Sequence, residues 1–252
     1  AAVYAAARDA AHQAAGVLRM LNLEGAAVAA GALDTALAAA ADGRLALDAD
    51  GGGALRNLAE GLMRWLKRLS QGGEGSALEL FPLYERARKL AGEEHVFEGD
   101  LFFPDLRHRP PAPAAPDAGQ VGEIARRARS HFQRGLLAFL RGQNSDTALA
   151  PMREALSLIE SCAPSPAAHT FWWAACGLID ALIAHDVGAD FHVKQLLARI
   201  DLQLRRLIEG SPRVAERLLR DTLYFIARSR AAGGRAAEAR ALFELDRALV
   251  VS

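Results

Sequence analysis

Apolar residues recur at helical spacing along almost the whole chain, and no stretch alternates apolar with polar as a half-buried strand would. The clearest instance is Val193, Leu196, Leu197, Ile200, Leu204, Leu207 and Ile208. These form one stripe, with Arg199, Asp201, Arg205 and Arg206 off it. Leu55, Leu58, Leu62, Leu66 and Leu69 form a second. Alanine is abundant and loses no side-chain entropy on entering a helix, so propensity and periodicity agree. The pattern predicts an all-α fold with helices near 2–21, 24–41, 53–71, 77–91, 120–141, 146–161, 166–185, 191–209, 212–231 and 235–249.

The clearest interruption is Phe97 to Gly119, which holds Arg109-Pro110-Pro111-Ala112-Pro113 and then Pro116. Proline lacks the amide hydrogen and disfavours helix in the residue before it. We therefore expect a first helical bundle over 1–96, a proline-rich linker over 97–119 and a second helical module over 120–252. Asp48 to Gly53 reads as a flexible loop; no strand precedes its glycines and no Gly-Lys-Ser/Thr follows, so it is no phosphate cradle. Gly210-Ser211-Pro212 reads as a helix stop, an N-cap and a proline in the first helical position.

Thirty basic residues balance thirty acidic ones, which argues against a nucleic-acid binder with its dominant basic surface. No apolar run reaches the roughly 18 residues that span a bilayer, so direct membrane insertion is not expected. The two cysteines, Cys162 and Cys176, make neither a disulfide framework nor a metal-type spacing, and they suit a reducing, cytoplasmic setting. No motif for a cofactor, a metal or bond-making chemistry is present in the sequence, so the chain is not expected to be an enzyme.

His12 is the residue with most chemical potential. Helical spacing puts Arg8, His12, Ala15, Gly16 and Arg19 on one face of the first helix, with Tyr4, Ala7, Ala11, Ala14, Val17 and Leu21 mainly on the core-facing side. An exposed imidazole beside the small residues Ala15 and Gly16 leaves room for a receiver domain to approach, and Arg8 and Arg19 would stabilise a phosphoryl charge. The same residues also fit an ordinary surface histidine on an alanine-rich helix.

The first 96 or so residues resemble a histidine phosphotransfer (Hpt) domain, whose motif is His-x-x-Lys-Gly on a four-helix bundle. His12 and Gly16 match that motif, and Met20-Leu21-Asn22-Leu23-Glu24-Gly25-Ala26 resembles the segment that follows it. The whole chain resembles the N-terminal region of the chemotaxis-type hybrid histidine kinases that control type IV pili (the ChpA/PilL group), and the related non-kinase regulators of the FimL type. That resemblance rests on Leu80-Phe81-Pro82-Leu83-Tyr84, Asp100-Leu101-Phe102-Phe103-Pro104-Asp105-Leu106 and Phe171-Trp172-Trp173. It rests most on the stretches Arg199 to Leu207 and Ser211 to Asp221. Ala15 stands where the motif has lysine, so the resemblance implies a degenerate Hpt-like bundle. The chain begins at Ala1 rather than methionine, and a preceding segment, including the bundle's first helix, is expected to be missing.

Other candidates are weaker. His131-Phe132-Gln133-Arg134-Gly135 repeats the His-x-x-x-Gly spacing, and His185, Asp186, Asp190 and His192 bring metal-ligand types to one turn at irregular spacing. Phe171, Trp172 and Trp173 span too wide an arc to share one helix face, so Trp172 or Trp173 is a candidate docking anchor beside the plain reading of core filling. Arg213, Arg217 and Arg220 fall at i, i+4 and i+7; Glu209, Glu216 and Asp221 could neutralise them as a solvated, ion-paired face, and as a candidate docking stripe they would suit an acidic partner. The resemblance implies a non-catalytic regulatory or docking module of a type IV pilus chemosensory system, serving twitching motility. Its partners would be a response-regulator receiver domain or pilus-regulatory proteins. Two alternatives stay open: an active phosphorelay carrier using His12, and a generic helical-repeat scaffold, since Gly234 to Phe243 has the small-residue packing of repeat helices without their period.

Overall fold

The computed structural model describes residues 2–112, 118–142, 146–231 and 233–250. Among them every regular element is helical. The chain divides into two compact units, Ala1–Phe103 with Ala248–Ser252, and Pro104–Arg247.

In the first unit α1 (Ala2–Met20), α3 (Ala49–Ser70) and α4 (Phe81–Leu90) each pack against α2 (Glu24–Ala41), the central element. α2 can be central because its buried residues are nearly all alanine, with Leu33, which lets its neighbours approach closely. Gly25 carries this furthest: a Cβ there would lie 2.5 Å from the Ala77 Cβ and 3.1 Å from the Leu101 carbonyl oxygen. α1 buries Ala11, Ala15 and Leu18. This corrects the expected core face, since Ala7, Ala14, Val17 and Leu21 are exposed, and Ala15 turns inward rather than sharing the surface with His12.

α3 starts earlier than its apolar stripe suggests. The Asp48 carboxylate caps it by accepting from the Gly51 amide at 2.7 Å, and Gly51 packs beneath Leu47 and Leu90. The glycines read as a flexible loop are therefore the first turn of a helix. The expected linker is also shorter at its start. Glu98–Leu101 is a 3-10 turn, Leu101 and Phe102 are buried, and the Tyr84 hydroxyl donates to Asp100 at 3.2 Å, so 97–103 is part of the first unit. Burial and the Asp100 carboxylate together hold the Tyr84 hydroxyl above the ordinary phenol range. The chain end returns to this unit, where the Val250 carbonyl accepts from the Ser76 amide at 3.0 Å. Residues 113–117 of the expected linker lie outside the described residues, and Ala118 already opens a helix.

The second unit contains α5 (Ala118–Leu140), α6 (Asp146–Ser161), α7 (Pro166–Ile183), α8 (Phe191–Ile208), α9 (Glu216–Arg228), α10 (Gly234–Leu242) and the short α11 (Leu245–Ala248). α7 packs against α6, α9 and α10 and is buried almost all round. A helix so enclosed has no polar face to keep, which is why three consecutive rings fit on it. Ser165 caps α7 through the Ala168 amide, with Pro166 in the first helical position.

Ion pairs between helices staple the unit. Arg129 of α5 forks onto Asp201 of α8 at 3.0 and 2.9 Å; Arg153 of α6 binds Asp180 of α7 at 2.6 Å. Arg235 of α10 binds Glu160 of α6 at 2.6 Å, and Arg199 of α8 binds Asp221 of α9 at 2.5 Å. α9 begins at Glu216, not at Pro212. The buried Gln203 side chain donates to the Arg213 carbonyl at 2.9 Å, within the non-helical stretch 211–215.

Candidate functional site

A polar group open to solvent lies across α1 and α2. The two helices form a hairpin that turns at 21–23, so residues equally far from the turn on either side stand opposite one another. His12 lies nine residues before the turn and Asp34 eleven after it, close enough in register for their side chains to meet. His12 Nδ1 lies 2.9 Å from Asp34 Oδ2, and Arg8 Nε lies 3.4 Å from Asp34 Oδ1. The His12 side chain is 74% exposed, while that of Asp34 is 24% exposed. The Asp34 carboxylate accepts from Nδ1–H, so in the neutral ring it is Nε2 that carries the lone pair. That is a nucleophilic nitrogen with its ring held by a second residue.

Gly16 leaves open space beside it, since nothing lies within 4 Å of a Cβ built there. Ala15 is 3% exposed and brings no cation to this surface. Arg19 makes no ion pair among the described residues, so Arg8 is the cation at the site. Asp34 was invisible to motif reasoning because it sits on another helix. The signal that finds it is the hairpin register: an acid about as far after the turn as the histidine is before it.

The second His-x-x-x-Gly pattern has a different cause. His131 Nδ1 pairs with the Arg134 guanidinium at 3.1 Å, and Gly135 is a packing residue. A Cβ at Gly135 would meet the Ala148 carbonyl oxygen and stand 2.5 Å from the Met152 Cγ, so glycine there lets α5 and α6 close on each other. Around His185, Asp190 spends its carboxylate as the N-cap of α8, accepting from the Val193 amide at 2.8 Å. No group of three metal-ligand side chains gathers among the described residues.

The aromatic docking anchors are corrected. Trp172 is 1% exposed and Trp173 is 7% exposed; Phe171 and Trp172 meet edge to face at 4.7 Å, and the Arg235 guanidinium lies 5.5 Å from the Trp173 ring. They fill the core around α7. The basic stripe is corrected too, because Arg213 lies in the non-helical segment before α9. Arg217 stands 3.8 Å from Asp221, Arg220 is half-buried, and Arg213 is exposed.

Both cysteines are free and buried. Burial pushes the Cys176 thiol up to about 12 and raises that of Cys162, so neither is a nucleophile at neutral pH. Glu160 gathers a buried polar knot. Besides Arg235, it faces His169 Nε2 at 3.7 Å, and burial holds His169 below the usual imidazole range.

No helix among the described residues is long and apolar enough to cross a membrane. The sequence model of the FimL scaffold protein second domain matches residues 117–252. The curated protein named Scaffold protein FimL, from Pseudomonas aeruginosa, is 30% identical over 242 residues, covering 91% of this chain and 42% of that protein. The chain thus spans under half the length of the relative it matches. No solved structure matches it. With more than half of its residues accounted for by one family, the chain belongs to the FimL scaffold protein second-domain family.

Proposed function

We propose that this chain is a non-catalytic regulatory and docking module of the cytoplasmic type IV pilus chemosensory system, with receiver domains or pilus-regulatory proteins as its partners. One observation carries the reading: 117–252 matches a scaffold protein's second domain, and the similarity to that scaffold runs through 91% of the chain. The energetics of the second unit agree with it. Its inter-helix ion pairs tie α5 to α8, α6 to α7 and α10, and α8 to α9, which makes a preorganised surface at little further cost on binding. Arg213, exposed before α9, is the docking residue of choice for an acidic partner surface. The test is affinity capture from piliated cells with the purified chain as bait, wild type beside Arg213→Glu. Pilus-regulatory proteins retained by the wild type and depleted with Arg213→Glu support the reading. The absence of any such protein from both would contradict it.

The His12–Asp34 contact favours a second reading, a phosphoryl carrier. In that step His12 Nε2 attacks the donor's phosphorus, the N–P bond forms, and the donor's P–O bond breaks with its electrons leaving on oxygen. The Nδ1 proton stays on its hydrogen bond to Asp34. A receiver aspartate then takes the phosphoryl group and returns the lone pair to Nε2. Acid-labile labelling from a cognate kinase with ATP, lost in His12→Gln, would establish it. No label from a kinase active on another Hpt domain would remove it.

A further inference from the structure

α5 commits one side to the core of the second unit. Val121, Ala125, Ala128, Phe132, Leu136 and Phe139 are buried there, and α6 and α8 pack against the helix. Helical spacing puts Arg126, Ser130, Leu137 and Arg141 along the opposite line, with Arg134 and Leu140 to either side of it. Arg141 continues the line past the last helical residue, since its amide still donates to the Leu137 carbonyl at 3.2 Å. All six residues are exposed.

The apolar part of this face is concentrated. Leu137 and Leu140 are neighbours, 49% and 42% exposed, with Arg134 and Arg141 beside them. The charge of the face is uncompensated. Arg126 and Arg141 make no ion pair among the described residues, and Arg134 reaches the His131 ring at 3.1 Å rather than a carboxylate. The acid on this side, Glu123, is bound to Arg127 at 2.6 Å. In a chain whose thirty basic residues balance thirty acidic ones, this is a local excess of positive charge. It runs for about 22 Å from Arg126 to Arg141 at the helical rise.

We infer that this face of α5 docks an acidic amphipathic helix of a partner protein, which lays apolar side chains on Leu137 and Leu140 and sets carboxylates against Arg126, Arg134 and Arg141. Exposed apolar side chains beside arginines have the composition of an interface centre, and arginines without acids call for carboxylates opposite. The three arginines stand eight and seven residues apart, so acids about two turns apart on a helix running alongside meet each of them. A second copy offering the same face is the wrong occupant, because it brings arginines against arginines. A lipid surface is wrong too. A helix lying in a membrane interface needs an apolar face along its length, and here Gln133, Ser130 and Arg126 take over before Leu137. That the incoming helix belongs to another protein rests on the docking reading above, and α5 lies almost wholly within the residues that reading is built on, 117–252.

The test uses the full chain and a designed 21-residue probe helix (a length of roughly 30 Å), with leucines set to meet Leu137 and Leu140 and glutamates two turns apart set to meet the arginines. Fluorescence anisotropy should give saturable one-to-one binding, weakened at least tenfold by Arg134→Glu and at least fivefold by Leu137→Ala, both exposed positions outside the core. The same probe with lysine for glutamate should bind Arg134→Glu better than it binds the wild type. No binding to the wild type, equal binding of the lysine probe to the wild type, or indifference to both substitutions would overturn the inference. So would sedimentation of the wild type, but not of Arg134→Glu, with phosphatidylglycerol vesicles in place of probe binding, which would assign the face to lipid. In cells, a photo-crosslinking residue at position 137 of the full-length protein should join an acidic helical segment of another protein. A cross-link to a distant segment of the same polypeptide would overturn the assignment. The docking reading is judged separately by the Arg213→Glu capture. Partners depleted by Arg213→Glu but retained by Arg134→Glu would sink the α5 face and leave that reading standing.

Discussion

Arg199→Ala and Asp221→Ala remove opposite ends of one ion pair and should not cost the same. Asp221 is 1% exposed, its Oδ2 receives Arg199 at 2.5 Å, and its Oδ1 has no hydrogen-bond partner among the described residues. Truncating one partner of a buried pair generally costs about 3–5 kcal/mol, because the other charge is left in a poor solvent. Here Arg217 remains 3.8 Å from the same oxygen, so part of the compensation survives, and Arg199→Ala should cost roughly 2–3 kcal/mol. The reverse change leaves Arg199, 41% exposed, free to turn into water. It also removes the orphaned oxygen. Asp221→Ala should therefore cost only about 1 kcal/mol, the net worth of a partly exposed pair. The double variant should behave like Asp221→Ala alone, giving a coupling of about 2 kcal/mol. Urea unfolding read by tryptophan emission in a Trp65→Phe background reports the second unit, which holds Trp172 and Trp173, without the signal of Trp65 in the first. Equal losses for the two single variants, or additive losses in the double, would refute the claim that Asp221 is a buried charge held by Arg199.

Three further outcomes follow from the same geometry. Gly135→Leu should destabilise the second unit by about 2 kcal/mol, through collision with Met152 and the Ala148 carbonyl, whereas Gly16→Ala should stabilise the first by about 0.5–1 kcal/mol because its site is open; denaturant titration measures both. Trp172→Ala should cost roughly 3–5 kcal/mol by emptying the core around α7, and a binding defect with unchanged stability would return it to the surface. The folded state lowers the His169 pKa by burial, so below about pH 6.5 the unfolded chain binds the extra proton first. Stability should then fall as pH drops from about 7 toward 5, and His169→Gln should flatten that dependence in unfolding midpoints; an unaltered slope would count against it.

Periodicity sufficed for the helices whose neighbours are ordinary apolar residues. The stripe from Val193 to Leu207 is buried as its spacing requires, and Leu55, Leu58 and Leu62 likewise. It failed where the deciding partner was tertiary. A buried glutamine reaching the Arg213 carbonyl delays α9, and an aspartate cap pulls three glycines into α3. It also failed for α1, where an alanine-rich sequence offers two almost equivalent apolar faces and only the packing against α2 selects one. At the candidate site, His12 and Gly16 could be read from local spacing. Asp34 depended on hairpin register, and Trp172 and Trp173 on knowing that α7 is enclosed on every side.

We propose that the chain works by holding partners and not by carrying phosphate. The most direct test is pilus-dependent motility in a strain whose full-length protein carries His12→Gln. His12 is exposed, so the substitution should change stability by less than about 0.5 kcal/mol, which a protein-level measurement checks. Motility should stay at the wild-type level with His12→Gln and fall with Arg213→Glu. Motility lost in the His12→Gln strain, with the protein folded and at normal abundance, would contradict it.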